Sequence, residues 1–312
     1  MVVAYALVRN LPFDKPGRFY KGNLHAHSTN SDGTLPPEEL ARLYREAGYD
    51  FLAITDHFRE RYGFPITDTH PYRRQGFATL LGAELHAPET ALGEDWHLLA
   101  VGLPPDFPPR HPSEQGPDLA RRAMMAGAFV GIAHPAWYGL TPADAESLGG
   151  AAHAVEVYNH SALEDNDRGD SWYLADALLA EGRRVNAYAA DDAHLREGAP
   201  DAFGGWVQVR SEALEPEAIL AALKAGHYYS SQGPEIHAVE VGKGSVVVRC
   251  SPARGVFLGG RGTARARVLG EGITECELPL APFVGSHFRV TVVDAAGKRA
   301  WTNAVWLDRG QG

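Results

Sequence analysis

The segment that decides the fold is N-L-H-A-H-S-T-N-S-D-G-T-L-P-P-E-E-L-A-R-L-Y-R-E-A-G-Y-D-F-L-A-I-T-D-H, residues 23–57. His25 and His27 stand two residues apart at the end of an apolar-flanked run. Residues i and i+2 of a strand point to the same face, so both imidazoles can face one divalent cation. Asp32 adds a carboxylate five residues later, within a Ser-Asp-Gly sequence typical of a turn.

The rest of this segment predicts a βαβ unit. A helix is expected over Pro36–Ala47, with prolines in its first turn, one apolar face and a left-handed stop at Gly48. The strand Phe51–Thr55 follows, and Asp56 and His57 stand at its end. Polar residues therefore come at the carboxyl ends of both strands, which is where α/β barrels carry their active sites.

The H-A-H, S-D-G and T-D-H sequences resemble the first two motifs of the PHP (polymerase and histidinol phosphatase) superfamily of metal-dependent hydrolases. The amino-acid sequence around His25 and before His57 looks most similar to that of the branch named after the carbaryl hydrolase CehA and its relative McbA. The resemblance implies a distorted seven-stranded, TIM-like barrel and, for many members, phosphoesterase activity.

Strand-like and helical stretches alternate up to about Ser231, which predicts an α/β fold with a largely parallel sheet. With the resemblance, we expect a distorted (β/α)7 PHP-type barrel in residues 1–232, of which 1–18 form an N-terminal edge segment. After Gly233 the helical signal ends, and short apolar runs alternate with Gly-rich turns. This pattern predicts a small all-β, sandwich-like C-terminal domain in residues 233–312.

The composition of the chain indicates which binding partners and which cellular location are compatible with it. The 312 residues carry a net charge of -10, which argues against a nucleic-acid groove but not against a phosphorylated small substrate, because bound metals can reverse the local field. No run is long enough for a membrane helix, and the apolar start lacks a basic n-region. We therefore expect a cytoplasmic protein with a small-molecule substrate, no nucleic acid and no membrane. The sequence does not indicate the oligomeric state.

Later strand ends supply further candidate ligands. Glu84 follows Gly-Ala, His97 begins a strand, His134 ends the apolar run G-I-A, and a D-x-H sequence gives Asp192 and His194. Each residue taken alone is ordinary at a strand end. Six histidines and three acids at successive strand ends together predict a metal centre formed by His25, His27, Asp32, His57, Glu84, His97, His134, Asp192 and His194.

The resemblance implies two to three divalent cations. His25, His27, Glu84 and Asp192 would hold the first ion, Glu84, His97 and His134 the second, and Asp32, His57 and His194 the third. Imidazole with carboxylate suits Zn, Mn or Fe(II). The D-x-H spacing favours Asp192 over the adjacent Asp191 as the ligand, and Asp56 is expected to orient a ligand imidazole.

Such a centre predicts metal-assisted hydrolysis of a small phosphoester by a metal-bridging hydroxide, with Glu84, Asp192 and His194 as catalytic residues. Candidate substrate contacts lie in loops after strand ends: Arg59, Arg61, Asn159, His160, Arg168 and Arg196. The first alternative is a carboxylic ester or carbamate hydrolase of the CehA type, with a pocket lined by Tyr62, Trp96, Trp137, Tyr138 and Tyr158. The second is a metal-stabilised, non-catalytic binding module.

Overall fold

The computed structural model describes residues 5–7 and 11–309. Its strands, in chain order, are β1 (Tyr5–Leu7), β2 (Arg18–Asn23), β3 (Phe51–Ile54), β4 (His57–Phe58), β5 (Ala78–Ala87), β6 (Trp96–Val101), β7 (Phe129–Ile132), β8 (Ala154–Asn159), β9 (Asn186–Ala190), β10 (Trp206–Ser211), β11 (Tyr228–Ser231), β12 (Ile236–Val241), β13 (Ser245–Gly260), β14 (Arg265–Pro279), β15 (His287–Val293), β16 (Arg299–Thr302) and β17 (Val305–Arg309).

Helices connect many of the strands before residue 232. They are α1 (Pro37–Glu46), α2 (Gly116–Met125), α3 (Pro135–Tyr138), α4 (Pro142–Ser147), α5 (His160–Asn166), α6 (Trp172–Ala180) and α7 (Pro216–Lys224). Among the described residues, none of these helices has the length and apolarity needed to cross a bilayer. Of the expected N-terminal edge segment, β1 pairs antiparallel with β17, whereas residues 1–4 and 8–10 lie outside the described residues.

The strands that carry the site follow one another side by side. β2, β3 and β5 are parallel, β7, β8 and β9 are parallel, and β6 runs antiparallel to both β5 and β7. Beyond the ends of β2 and β9, a parallel bridge joins Ala26 to Ala193. The predicted mixed α/β class is confirmed. The alternation of strands and helices is interrupted between β5 and β6. Residues 88–95, which join these two strands, are too few for a parallel crossover, so the strands are antiparallel.

Helix α1 shows how the sequence sets this arrangement. Its first turn holds Pro37, and its buried face, which includes Leu40 and Tyr44, packs with Leu52 of β3. Gly48 ends the helix at φ +79°, a left-handed conformation that glycine adopts without a steric penalty. The predicted helix is therefore confirmed to within a residue at each end.

The strands after residue 232 are antiparallel and enclose a separate apolar core that includes Val248, Phe288 and Val290. They are also hydrogen-bonded to the first part, because β16 pairs with β11. Asn303 reinforces this junction: its side chain accepts from Ala187 N at 2.8 Å and donates to two backbone carbonyls near β11. The division at residues 232 and 233 stays a prediction.

Candidate metal centre

The nine candidate ligands come from distant parts of the chain and meet at one end of the sheet. His25 and His27 follow β2, Asp32 lies in the loop before α1, and His57 lies in β4. The others are placed by the later strands: Glu84 in β5, His97 in β6, His134 just after β7, and Asp192 and His194 just after β9. The hydrogen bonds from His27 N to Ala193 O and from Asp192 N to His25 O, each 2.9 Å, hold the first and last of these strand ends together.

Glu84 lies at the centre of the cluster and is fully buried. Its Oε1 lies 2.6 Å from His97 Nδ1 and 3.0 Å from His134 Nε2. Its Oε2 lies 3.6 Å from His27 Nε2 and 3.8 Å from His25 Nε2. The two oxygens thus face two different groups of imidazoles, as a carboxylate shared between two cations requires.

Asp192 closes the group around the first two histidines. Its Oδ1 lies 2.9 Å from His27 Nε2 and 3.2 Å from His25 Nε2. The neighbouring Asp191 faces the other way and accepts hydrogen bonds from the Tyr44 hydroxyl and from backbone N–H groups of residues 203–205. Asp192 is therefore the carboxylate that faces the histidines.

The third group surrounds Asp32. Its Oδ1 lies 3.4 Å from both His57 Nε2 and His194 Nε2, and 4.0 Å from His27 Nδ1. His194 Nδ1 lies 2.8 Å from the carbonyl oxygen of Asp192, which can only accept. Nδ1 therefore carries a proton, and Nε2 is the atom that faces this group and would bind a cation.

Several ligand atoms of the cluster have no hydrogen-bond partner among the described residues although they are buried. They are His25 Nε2, His27 Nε2, Asp32 Oδ1, Glu84 Oε2 and Asp192 Oδ1. Buried polar atoms normally have a partner, and a cation supplies one for each of these lone pairs. Ligand atoms of Glu84, His97 and His134, and of His27, Asp32, His57 and His194, lie within 4.8 Å of one another. The donor set fits divalent metal ions.

Comparison with solved structures places this arrangement in a known fold. A two-domain protein from Bacteroides vulgatus, described as containing a predicted PHP-like metal-dependent phosphoesterase, is 16% identical and superposes with a TM-score of 0.52. The match covers 93% of this chain and 97% of that one. The chain has the PHP fold.

Two further comparisons cover less of the chain. An amidohydrolase from Chromobacterium violaceum is 16% identical over 57% of this chain and 89% of that one, with a TM-score of 0.41. The DNA polymerase/3'-5' exonuclease PolX of Bacillus subtilis is 51% identical over 37 residues, which are 12% of this chain and 6% of the polymerase. No family model matches the sequence.

Electrostatic effects within this cluster separate the pKa values of the two central carboxyls from those of the histidines. Burial disfavours ionisation of Glu84 and Asp192, but the surrounding imidazoles outweigh it and hold the pKa of both carboxyls well below the usual value. Burial likewise opposes protonation of His25, yet Asp192 and Glu156 raise its pKa well above normal. Burial and the neighbouring His194 and His57 lower the pKa of His27 to about 4.

Two ligands have unusual backbone conformations. His134 has φ +25° and Asp192 has φ +57°, in the left-handed region that residues other than glycine rarely adopt. Each follows the end of a parallel strand, and each turn redirects a side chain into the centre. Left-handed residues of this kind concentrate at functional sites.

Two residues near the centre were missed by sequence reasoning. Glu156 in β8 is fully buried and contacts His25 Nδ1 through Oε1 at 3.1 Å. His86 lies beside His57, with His86 Nε2 3.0 Å from His57 Nδ1. The available signals were a lone acid in the apolar run A-V-E-V-Y and a histidine two residues after Glu84 in A-E-L-H, on the same strand face.

Asp56 lies in a different environment from the one expected. It accepts hydrogen bonds from Ser28 N at 2.7 Å, from Ser31 Oγ at 2.9 Å and from Thr67 Oγ1 at 2.6 Å. It therefore holds the loop that carries Asp32, and Ser31 Oγ, 3.5 Å from His27 Nδ1, links it to an imidazole.

A cavity of about 770 Å³ opens onto the centre. Of the predicted substrate contacts, Arg59, Arg61 and Arg196 line it, and Arg196 also donates to Asp32 Oδ2 at 2.8 Å. Asn159 is instead buried, with its amide nitrogen near Glu156 and Asp192 and its Oδ1 capping α5.

The other two predicted contacts, His160 and Arg168, do not line the cavity. His160 pairs with the Tyr158 hydroxyl at 2.9 Å, and Arg168 donates to the carbonyl of Trp137 at 3.4 Å. Trp137 lines the cavity and is 38% exposed, whereas Trp96, Tyr138 and Tyr158 are buried.

Proposed function

We propose that this protein is a metal-dependent hydrolase that cleaves a small phosphoester on a distorted (β/α)7 PHP-type barrel in residues 1–232. The observation that carries the proposal is the set of buried, unpartnered imidazole and carboxylate atoms at the base of the cavity. Substrate entering this cavity would meet Asp32, His57, His97, His134, Asp192 and His194, which line it. The proposed role of residues 233–312 is to brace the barrel.

The residues of the centre and of the cavity would have different roles in hydrolysis. Cations held by the three groups would lower the pKa of a bound water and polarise the phosphoryl oxygen. Glu84 would join two of the groups through its two oxygens, and Asp192 and His194 would hold or pass a proton at the cavity edge. Arg61 and Arg196, which line the cavity, would neutralise the charge of the phosphate.

Carboxylic ester or carbamate hydrolysis is the second candidate. Trp137 favours it, because its ring is exposed in the cavity and lies 5.4 Å from the ring of His134 and 5.7 Å from that of His97. An apolar acyl group or leaving group could pack on this indole beside the centre. The cavity rim also carries the acids Glu94, Asp95, Glu164 and Asp165, which disfavour a highly anionic substrate.

A panel of chromogenic phosphate monoesters, phosphate diesters, carboxylic esters and carbamates separates these candidates. The protein is stripped with a chelator, reloaded with Zn or Mn, and compared with the variant His134→Ala and with Glu94→Gln, a rim control outside the cluster. We expect metal-dependent cleavage of a phosphate ester that His134→Ala abolishes. Cleavage of carboxylic esters or carbamates alone would favour the second candidate, and metal binding without turnover would favour a binding module.

A further inference from the structure

A second cavity, of about 590 Å³, lies on the sheet formed after residue 232 and shares no residue with the cavity at the metal centre. Its floor is the face of β13 that carries Gly255, Phe257 and Gly259, because alternate residues of a strand point to the same side. Leu269 of β14 pairs with Gly255, and Thr291 of β15 pairs with Phe257, so both stand on this face. Three neighbouring strands therefore form the cavity.

The two glycines shape the hollow. A Cβ placed on Gly255 would lie 2.8 Å from the ring of Phe257, so this ring occupies the space above Gly255. A Cβ placed on Gly259 would meet its nearest neighbour, Cζ of Arg289, at 3.8 Å, which leaves open space above the strand. Glycine inside a strand often marks a place where another group approaches the backbone closely. The sequence G-V-F-L-G thus places an aromatic ring beside an opening.

The charge of this cavity is opposite to that of the whole chain. Arg254, Arg289 and Arg299 line it, and its lining includes no acidic residue. Among the described residues, no acid forms an ion pair with Arg254 or Arg299, and both side chains are exposed. The chain as a whole carries a net charge of -10, so the cavity is a local excess of positive charge. Guanidinium groups bind carboxylate and phosphate oxygens through paired hydrogen bonds.

Arg289 is held in place by the first part of the chain. Its Nε and Nη2 donate to the two carboxylate oxygens of Asp176 in α6 at 3.2 and 3.0 Å. Its guanidinium lies 3.8 Å from the ring centre of Trp172, and its Nη1 donates to Thr291 Oγ1 at 2.9 Å. Asp176 offsets the charge of Arg289, which is therefore a fixed wall of the cavity. The other two arginines supply the uncompensated charge.

We propose that this cavity binds a small organic anion that carries an aromatic or apolar group. The anionic group lies between Arg254 and Arg299, and the apolar group packs on Phe257 and Leu269, whose side chain is 57% exposed. The volume is within the range of small-molecule sites, which combine apolar surface with a few charged groups. This site goes beyond the proposed hydrolase activity and does not depend on it.

The probe that tests this inference is naphthalene-2-sulfonate, which joins one negative charge to a flat apolar ring and whose sulfonate is a poor ligand for metal ions. Methyl 2-naphthyl sulfone has the ring without the charge, and methanesulfonate has the charge without the ring. Calorimetric titration of the metal-loaded protein measures affinity and stoichiometry. We expect one naphthalenesulfonate per chain, bound about 10-fold more tightly than either other compound, because each of those lacks one kind of contact.

Three variants locate the bound probe. Arg299→Gln removes one exposed guanidinium and should weaken binding about 10-fold, the usual effect of losing a hydrogen bond to a charged group. Gly259→Leu places a side chain in the open part of the hollow and should abolish binding. Arg61→Gln is the matched control, because it removes the same charge from the cavity at the metal centre, and it should bind the probe like the wild type.

Several results would overturn the inference. They are the absence of binding at millimolar probe, equal binding of the neutral sulfone, and binding that Arg61→Gln loses but Arg299→Gln keeps. Binding of an oligoglutamate peptide without binding of naphthalenesulfonate would assign this surface to an acidic protein partner instead. If Gly259→Leu does not fold, the comparison of Arg299→Gln with Arg61→Gln still decides.

Discussion

Oε1 of Glu156 lies 3.1 Å from Nδ1 of His25, and both side chains are fully buried. Because a carboxylate oxygen accepts, Nδ1 of His25 carries a proton, and Nε2 is the atom that faces Asp192 and would bind a cation. Oε2 of Glu156 accepts from the backbone N–H of His134 at 2.6 Å. One carboxylate therefore orients the ring of one candidate ligand and the backbone of another.

The substitution Glu156→Gln should weaken cation binding about 10- to 100-fold. The amide has one acceptor oxygen, so its NH2 group must face either the N–H of His25 or that of His134. We would measure Zn affinity of the apo protein by competition with a chromogenic chelator. Glu164→Gln, an exposed acid at the cavity rim, is the control and should bind Zn like the wild type. Equal affinity in both variants would contradict this role for Glu156.

The substitution Glu84→Gln should remove at least one ion per chain and nearly all turnover. An amide supplies one oxygen ligand and no charge, whereas both oxygens of Glu84 face imidazoles. The measurements are metal content per chain and turnover of the best substrate from the ester panel. Glu94→Gln, which also lines the cavity, should retain its full metal content, and a fully loaded, active Glu84→Gln protein would exclude a bridging role.

Cation binding should release protons at neutral pH. Burial opposes protonation of His25, His134 and His194, but neighbouring carboxylates raise the pKa of all three above the usual histidine value. Part of each imidazole is therefore protonated near pH 7 in the cation-free protein, and the cation must displace these protons. Zn affinity should consequently fall as the pH is lowered.

Titration calorimetry in two buffers of different ionisation enthalpy counts these protons. We expect a net release at pH 7 that becomes smaller as the pH is raised, because the imidazoles then lose these protons before the cation binds. A binding enthalpy at pH 7 that does not change with the buffer would show that no proton leaves, contrary to the raised pKa values.

The adjacent acids Asp191 and Asp192 should have opposite effects when each is replaced by Asn. Asp191 accepts four buried hydrogen bonds, from Tyr44 Oη and from the backbone N–H groups of residues 203–205, at 2.7–2.9 Å. Asn has a single acceptor oxygen, so Asp191→Asn should lower the free energy of unfolding by about 3 kcal/mol while leaving the ion number unchanged.

Asp192→Asn should instead lose metal, because the carboxylate of Asp192 faces the candidate ligand imidazoles and not the backbone of the neighbouring loop. Denaturant unfolding of the apo proteins and metal analysis of the loaded proteins measure the two effects. Loss of metal in Asp191→Asn without loss of stability would reverse the assignment of these two residues.

The local parts of the fold could be predicted from the sequence because their signals are local. Helix α1 follows from its prolines, its apolar face and Gly48, and β3 follows from an unbroken apolar run. The direction of β6 could not be predicted, since it depends on the length of the preceding loop and on pairing with β5 and β7. The sequence predicted a largely parallel sheet, and β6 departs from it because it runs antiparallel to both of its neighbours.

The candidate ligands could be predicted where a histidine or an acidic residue stands at the end of a predicted strand. The positions of Glu156 and His86 depend on partners far away in the chain, such as His25, 131 residues before Glu156, and no local pattern marks those contacts. Asn159 was expected to contact substrate, but α5 begins at the next residue, and the Asn159 side chain caps it through Ala162 N. Sequence alone does not distinguish an asparagine that caps a helix from one that binds a substrate.

The left-handed turns at His134 and Asp192 have a consequence for engineering. Each such residue costs about 1–3 kcal/mol in backbone energy, and the surrounding structure must offset this cost before any ion arrives. If the nine side chains were grafted onto an idealised barrel whose loops lack left-handed residues, the side chains of these two residues would point away from the centre. A designer copying this centre would have to transplant the two bends together with the side chains they carry.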